Sequence, residues 1–375
     1  MANNSGMVQS YQNTIPDRRM VTDRILMIEP SEIKTYLALG TDMGKFNFVN
    51  REGKIFEWLE DTFTPVTDAI ATGAASSSTT TTFTVTTAAL WQPGDIVLVE
   101  SEKIWVSGMS GAVATVVRGV GSTSPATHAN TTATTRIGRA RIDGDDADDS
   151  PSTEVTSGYN YTQIFQRTIN IARTKEKLAE YGVDSWEEYQ IDKYMKELMM
   201  DLNKLPYRGE RVTGTASAAR MSGGFDDFIT DNVTDVGSAA LTKDHIDDTL
   251  QNIWNDGGNP TLIITGAHAQ RKINDFYEGF VSTDRMEQAG GILIKKLLHP
   301  ISGTVLDVLV DRHCPTNELW ILSPEHIAYY AFDPFFYEQL AKTGDARKGQ
   351  VVGEYGLAVA YDKSHGKVHT FSTSS

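Results

Sequence analysis

The residues of this chain that could do chemistry are few and scattered. His313 and Cys314 stand side by side, but a thiolate nucleophile needs a base that reaches its sulfur. Neighbouring side chains of an extended segment point to opposite faces, so the pair reads as structural. "GTDMGKF", Gly40 to Phe46, has the Gly-Lys of a phosphate loop without its spacing or its hydroxyl residue. "DGDDADDS", Asp143 to Ser150, is the densest acidic run. A calcium loop needs oxygen ligands at alternating positions, a central glycine and a distal bidentate glutamate; this run lacks that order and is expected to be a solvated loop. His365 precedes a glycine in a turn, where no catalytic role is required, and nothing selects His268 as a base. No GxSxG, HExxH, GxGxxG, CxxC or GxxxxGK[ST] pattern occurs. No catalytic, cofactor or metal constellation rises above background, and sequence spacing leaves open a site assembled in space.

The closing stretch, "AKTGDARKGQVVGEYGLAVAYDKSHGKVHTF", also sets glycines and lysines before an apolar run. A phosphate loop leads into a helix N-terminus, whereas this one leads into a strand. Val351, Gly353, Tyr355, Leu357, Val359 and Tyr361 face one way and Val352, Glu354, Gly356, Ala358 and Ala360 the other. The stretch is expected to be a hairpin that turns at "DKSHG", returns through "KVHTF" and joins a sheet.

Those residues must be positioned by a chain of 375 residues, long enough for two or three compact units. Forty-nine acidic against thirty-four basic residues give a net charge of −15, the wrong sign for a chain that coats nucleic acid. The single cysteine excludes an internal disulfide and a multi-cysteine zinc site. No stretch approaches the roughly 18 apolar residues of a membrane span, and the N-terminus has no apolar secretory core. A soluble protein with no membrane contact is expected.

The elements follow from periodicity. After a polar arm, "EPSEIKTYLALG" reads as a short helix stopped by Gly40, and "GKFNFVNREGKIFEWLEDTFTPV" as projecting hairpin-like structure. From Ala74 to about Thr135 the composition shifts to Thr, Ser, Gly and Val, with short β-runs between turns, the pattern of a small inserted barrel or sandwich. In "DSWEEYQIDKYMKELMMDLNKLPYRG", Ile191, Tyr194, Met195, Leu198, Met199, Leu202 and Leu205 form one apolar stripe. Ser185 and Glu188 form a capping box before this helix and Pro206 follows its end. Beyond Gly223 an α/β module is expected: a helix with Ile246, Leu250, Ile253 and Trp254 on one side, the buried strand "TLIIT", a second helix, and the strands "VLDVLV", "LWIL" and "IAYYAF".

This order of parts resembles the major capsid protein of tailed bacteriophages, whose fold is shared with herpesvirus shells. The likeness is greatest to the subgroup with a β-rich insertion in the extended loop. "FEWLEDTFTP", "VVRGVGSTSPATHA", "YNYTQIF", "IWNDGGNPTLIIT" and "LAKTGDARKGQVVGEYGLAVAYDKSHGKV" carry it, in the expected order. The resemblance implies an α+β fold with an N-terminal arm (1–44), an extended loop (45–75 and 140–170) and an inserted all-β domain (76–139). It further implies a peripheral domain with a spine helix and closing hairpin (171–220 and 340–375) and an α/β axial domain (221–339).

The function so implied is structural: pentamers and hexamers of the chain forming an icosahedral shell around a double-stranded DNA genome, assembled in the host bacterial cytoplasm and part of the virion. Partners would be other copies of the chain, with portal and scaffold or decoration proteins, and the DNA would be enclosed without sequence-specific binding. Phe56, Trp58 and Phe63 of the projecting loop would anchor on an adjacent subunit, with Arg18 and Arg19 pairing with acidic groups there; the alternative is local packing of these aromatics. Two other readings stand beside it. One is a carbohydrate-binding or hydrolase-associated protein that uses Trp91 and Trp105 of the β-rich insertion. The other is a ring-forming tail or neck component.

Overall fold

The computed structural model describes residues 32–41, 45, 46, 48, 53–72, 78–144, 155–178, 185–276, 295–298, 301–342 and 344–373. Most of the expected N-terminal arm, with Arg18 and Arg19, and Asp145 to Ser150 of the acidic run lie outside the described residues. The chain is α+β and divides into two compact units, Met1–Trp58 with Gly158–Ser375 and Leu59–Ser157. Among the described residues no helix is long and apolar enough to cross a membrane.

The first unit opens with helix α1 (Lys34–Leu39), closed by Gly40 at φ 71°. Strand β1 (Ile55–Glu60) pairs with β8 (Thr156–Tyr161) in a two-stranded ribbon. Strands β9 (Gln163–Ala172), β15 (Ile327–Gln339) and β16 (Ala346–Val359) form a three-stranded antiparallel sheet with β16 in the middle. The short α2 (Arg173–Lys177) leads to the long helix α3 (Trp186–Arg208), which packs on that sheet. Ser185 caps α3 by accepting a hydrogen bond from the Glu188 N–H at 3.4 Å, and Leu198, Leu202 and Leu205 of the expected stripe are buried.

Pro206 lies inside α3 and not beyond its end. A proline offers no N–H to the carbonyl four residues back, and the Leu202 carbonyl instead accepts the buried Tyr329 hydroxyl at 3.5 Å. The helix therefore continues to Arg208 without an orphaned carbonyl at this step.

A second, six-stranded sheet belongs to the same unit. Its order is β10 (Val233–Asp235), β17 (Gly366–His369), β14 (Glu318–Leu322), β11 (Leu262–Thr265), β13 (Val305–Val310) and β12 (Lys295–Leu298). Every residue of β11 is buried, as expected of a central strand covered on both faces. Beyond the short α4 (Phe225–Phe228), helices α5 (Lys243–Asn255) and α6 (Ala267–Phe276) cover one face through Ile246, Leu250, Ile253, Ala269 and Ile273. Trp254, expected on that buried side, is half exposed, because it follows Ile253 directly and one residue turns a helix by a large fraction of its circumference.

The second unit is a closed barrel of β2 (Thr67–Thr72), β3 (Thr82–Val85), β6 (Val113–Val117), β5 (Glu102–Ser110), β4 (Asp95–Val99) and β7 (Ala133–Arg139), in that order. It begins at Thr67, ahead of the composition shift at Ala74 and of the boundary at 76 that the resemblance implies, because β2 must pair with both β3 and β7 for the barrel to close.

The chain's end departs from the expected hairpin. β16 pairs with β15 and β9, whereas β17 lies between β10 and β14 in the other sheet. Residues 327–339 accordingly belong with the three-stranded sheet and not with the α/β module. The crossing is built from Tyr361 at φ 57° and the turn Asp362–Ser364. The Asp362 carboxylate accepts the Thr230 N–H at 2.9 Å and the Thr230 hydroxyl at 2.7 Å. His365, fully buried, accepts the Ser323 N–H on Nδ1 at 3.2 Å and donates from Nε2 to the Ala360 carbonyl at 3.0 Å. Those two bonds require the neutral ring.

Burial pushes the His365 imidazole down from 6.5 to about 3, against the opposing pull of the Ala360 carbonyl and with a further push from His326. A folded-state value below the unfolded one means the stabilisation is whole above about pH 6.5 and is lost as pH falls toward 3, by roughly 1.4 kcal/mol per unit. Urea unfolding between pH 7.5 and 5 is expected to show this slope in the native chain and a shallower one in His365→Gln; equal slopes would remove His365 from the account.

Candidate assembly interface

The alternation in "IFEWLE" decides what β1 offers to its surroundings. Phe56 and Trp58 point one way and are 4% and 6% exposed, while Ile55, Glu57 and Leu59 point the other way and are exposed. Phe56 stacks on Tyr330 with ring centroids 4.4 Å apart. Trp58 meets Phe228 edge-on at 5.6 Å, and Phe46 and Phe48 close the cluster.

Two glycines make this packing possible. A Cβ on Gly356 would lie 2.4 Å from the Phe56 ring, and one on Gly158 would lie 2.6 Å from the Trp58 indole. Neither glycine has a positive φ, so the requirement is space and not backbone conformation. The small Ala358 and Ala360 extend the same face of β16.

The root of the ribbon is pinned by Asn160 of β8, which is fully buried. Its Nδ2 donates to the Leu357 carbonyl at 2.6 Å and the Ser222 hydroxyl at 3.1 Å, and its Oδ1 accepts the Gly223 N–H at 2.9 Å. Beside it, Glu354 of β16 is held by Arg220 and by the Thr162 hydroxyl.

This geometry corrects part of the expected interface. Phe56 and Trp58 are consumed by their own chain and have no surface left for a neighbour, in line with the alternative of local packing. Phe63 is 100% exposed, and Leu59, which sequence reasoning passed over, is 74% exposed. The strand alternation was itself the missing signal: it sets Leu59 opposite the two aromatics that draw attention by size. Val155 and Tyr159, before and within β8, are also partly exposed.

The other expected sites resolve structurally. Cys314 is buried, and its thiol is raised well above the usual range by burial first and then by the negative charges of Glu318 and Asp311, the reverse of what a nucleophile needs. Trp91 is buried against Phe83, its Nε1 donating to Asp68 at 2.7 Å. The cavity beside it measures about 10 Å³, too small for a sugar. The Trp105 indole donates to the Ala140 carbonyl at 2.8 Å, so both indole N–H groups of the barrel are spent internally. Among the described residues no group of His, Cys, Asp and Glu is placed to hold a metal.

Comparison with known proteins places this architecture. The capsid of Myoviridae phage XM1 has the same fold, with a TM-score of 0.50 at 9% identity over 96% of this chain and 99% of that one. The capsid of cyanophage A-1(L) matches at a TM-score of 0.47 and 13% identity over 63% of this chain and 85% of that one. The model of the SU10 major capsid protein family matches residues 3–372, and the chain belongs to that family. A curated relative, the major capsid protein of Escherichia phage Phieco32, is 26% identical over 106 residues, and the match spans 28% of the length of each protein. The chain is thus a structural capsid protein and a component of the virion.

Because Phe56 and Trp58 lie against glycine backbone, small changes on either side should be costly. Gly356→Ala is expected to lower the unfolding free energy of the isolated chain by about 1–3 kcal/mol, and Trp58→Ala by about 3–5 kcal/mol. Both are read as shifts of the denaturant midpoint, and unchanged midpoints would mean the aromatic cluster contributes little.

Proposed function

We propose that copies of this chain form pentamers and hexamers that close into an icosahedral shell around a double-stranded DNA genome in the cytoplasm of a bacterial host. In this reading the ribbon of β1 and β8 is the strap of the extended loop. Leu59 of the ribbon and Phe63, just beyond β1, dock on a neighbouring subunit. The observation that carries it is the division of labour along β1: the aromatics that fix the ribbon to its own chain are buried, and the next apolar residues are left fully or mostly exposed. Large apolar side chains left this exposed are candidates for an interaction site.

The remaining assignments follow the same reading. The three-stranded sheet with α3 is the peripheral domain, the six-stranded sheet with α5 and α6 the axial domain, and the barrel the inserted domain; Arg18 and Arg19 would pair with acidic groups of a neighbouring copy. The net charge of −15 suits a container that holds DNA without gripping it. Portal, scaffold or decoration proteins would be further partners. The role has no catalytic step, and no observation favours the carbohydrate-binding or ring-forming alternatives.

Light scattering and electron microscopy of the purified chain test this, with closed shells or five- and six-fold rings as the expected products. Leu59→Glu with Phe63→Glu is expected to leave the denaturant midpoint within about 0.5 kcal/mol of native, since exposed substitutions are near neutral, while abolishing assembly. Normal shells from the double variant would remove the ribbon from the interface.

A further inference from the structure

In the barrel, a chain segment without regular structure, residues 118–132, joins β6 to β7 and folds back over the start of β5. Such long connections inside a compact domain usually have a function of their own. This one is fastened at two levels. Its first half is tied to β5 by the Val120 N–H to the Lys103 carbonyl at 2.8 Å and the Lys103 N–H to the Thr123 hydroxyl at 3.2 Å. Its end is tied to β2 by the Thr131 N–H to the Ile70 carbonyl at 2.8 Å.

Between those ties lies an ionic cluster. The Glu102 side chain is fully buried, and Arg118 grips it with two bonds of 2.7 Å each. The N–H groups of Gly119 and Ala126 donate to it at 3.0 Å each. Burial alone would raise this carboxyl, but its bonds to Arg118, the Ala126 N–H, His128 and the Gly119 N–H bring it down to about 2. It therefore stays charged wherever a histidine titrates.

His128 completes the cluster. Its Nε2 lies 2.9 Å from Glu102 and its Nδ1 lies 3.1 Å from Glu100, so both ring nitrogens face carboxylate oxygens. Only the doubly protonated ring donates to both. The charged groups facing it are Glu100 from the turn between β4 and β5, Glu102 from β5 and Arg118 from the end of β6.

Glu100 supplies an independent observation. It sits at φ 53° in the tight turn between Val99 and Glu102, where glycine or asparagine is the usual choice. A glutamate held in the left-handed region costs backbone energy, and such strain points to a role for the side chain.

We propose that His128 is a proton-operated latch for residues 127–130 of the barrel: its imidazolium clamps the segment between Glu100 and Glu102, and loss of the Nδ1 proton releases the Glu100 side. The Nε2 proton stays on Glu102, whose other donors keep it in place. The Nδ1 lone pair then faces the Glu100 carboxylate, which is exposed and swings into water. The tie holds while Nδ1 carries its proton and is lost when that proton leaves. The barrel would thus present two different surfaces to whatever lies against it, according to pH.

Hydrogen exchange on the full-length chain between pH 5.5 and 8.5, corrected for intrinsic rates, tests the latch. The native protein is expected to lose roughly tenfold in protection at the Thr132 amide, which donates to the Ala129 carbonyl of the segment, as pH rises, while the Gly119 and Val120 amides, bonded to Glu102 and Lys103, stay unchanged. Glu100→Gln is expected to remove the pH step with the barrel intact, because Glu100 lies on the surface. His128→Gln is expected to show the open level of exchange at every pH. A native protein with no pH step, or a step that survives in Glu100→Gln, would overturn the proposal; the second result would assign the titration to another group.

Discussion

The packing of aromatic rings against bare glycine backbone along β16 is the constraint on which the first unit depends. On the face of β16 turned toward the core, a Cβ on Gly349 would lie 2.3 Å from the Tyr337 hydroxyl, and one on Gly353 would lie 2.5 Å from the Phe335 ring. On the opposite face Gly356 does the same for Phe56. β16 hydrogen-bonds to β15 on one side and β9 on the other, so these rings fix the strand's position from above and below as well. Glycine in a strand interior weakens it by entropy and lost packing; here the overlying ring supplies the missing contact.

The same strand draws in the long helix. The Tyr337 hydroxyl donates to Glu187 in the first turn of α3 at 2.5 Å, and Arg347 of β16 pairs with that carboxylate at 2.8 Å. Burial, with Glu187 adding to it, pushes the Tyr337 phenol up to about 12, which keeps it a donor. At the far end, the fully buried Asp311 collects the Thr35 hydroxyl at 2.5 Å and the Asn203 amide at 2.8 Å, and the Tyr207 hydroxyl meets Thr35 at 2.5 Å. Helix α1, α3 and the segment after β13 are thereby joined by one satisfied polar network. Breaking a single member would leave a buried carboxylate short of donors, which is far costlier than the network's net gain.

The elements legible in the sequence were those whose burial follows one strict period. The stripe from Ile191 to Leu205, the run "TLIIT" and the face of Ile246, Leu250 and Ile253 all have one dominant apolar side, and their local pattern matches their packing. What was not legible depended on partners distant in the chain. β16 and β17 read as a hairpin because strands separated by a short polar turn usually pair, and only Asp362 bonding to Thr230 and His365 bonding to Ser323 show why the chain changes sheet. β2 lies before the change in composition, and its place in the barrel rests on pairing with β7 more than sixty residues away. The buried fate of Phe56 was half legible: Gly356, Ala358 and Ala360 form an alternating track of small residues, a sign that something large lies on that face.

That track bears on how a strap can serve assembly. A lone two-stranded ribbon is marginally stable in water, so a ribbon that must meet a neighbour has to borrow order from somewhere. Here its base is ordered by Phe56, Trp58 and Asn160, while Leu59 and Phe63 remain exposed. The apolar surface of those two residues gains its burial only when a partner covers it. Under the proposed function the surface that receives them differs from the ribbon itself, so the contact is heterologous and propagates from chain to chain until a ring closes. Under that proposal, a base fixed by its own chain would present the exposed apolar edge to each neighbour in the same way.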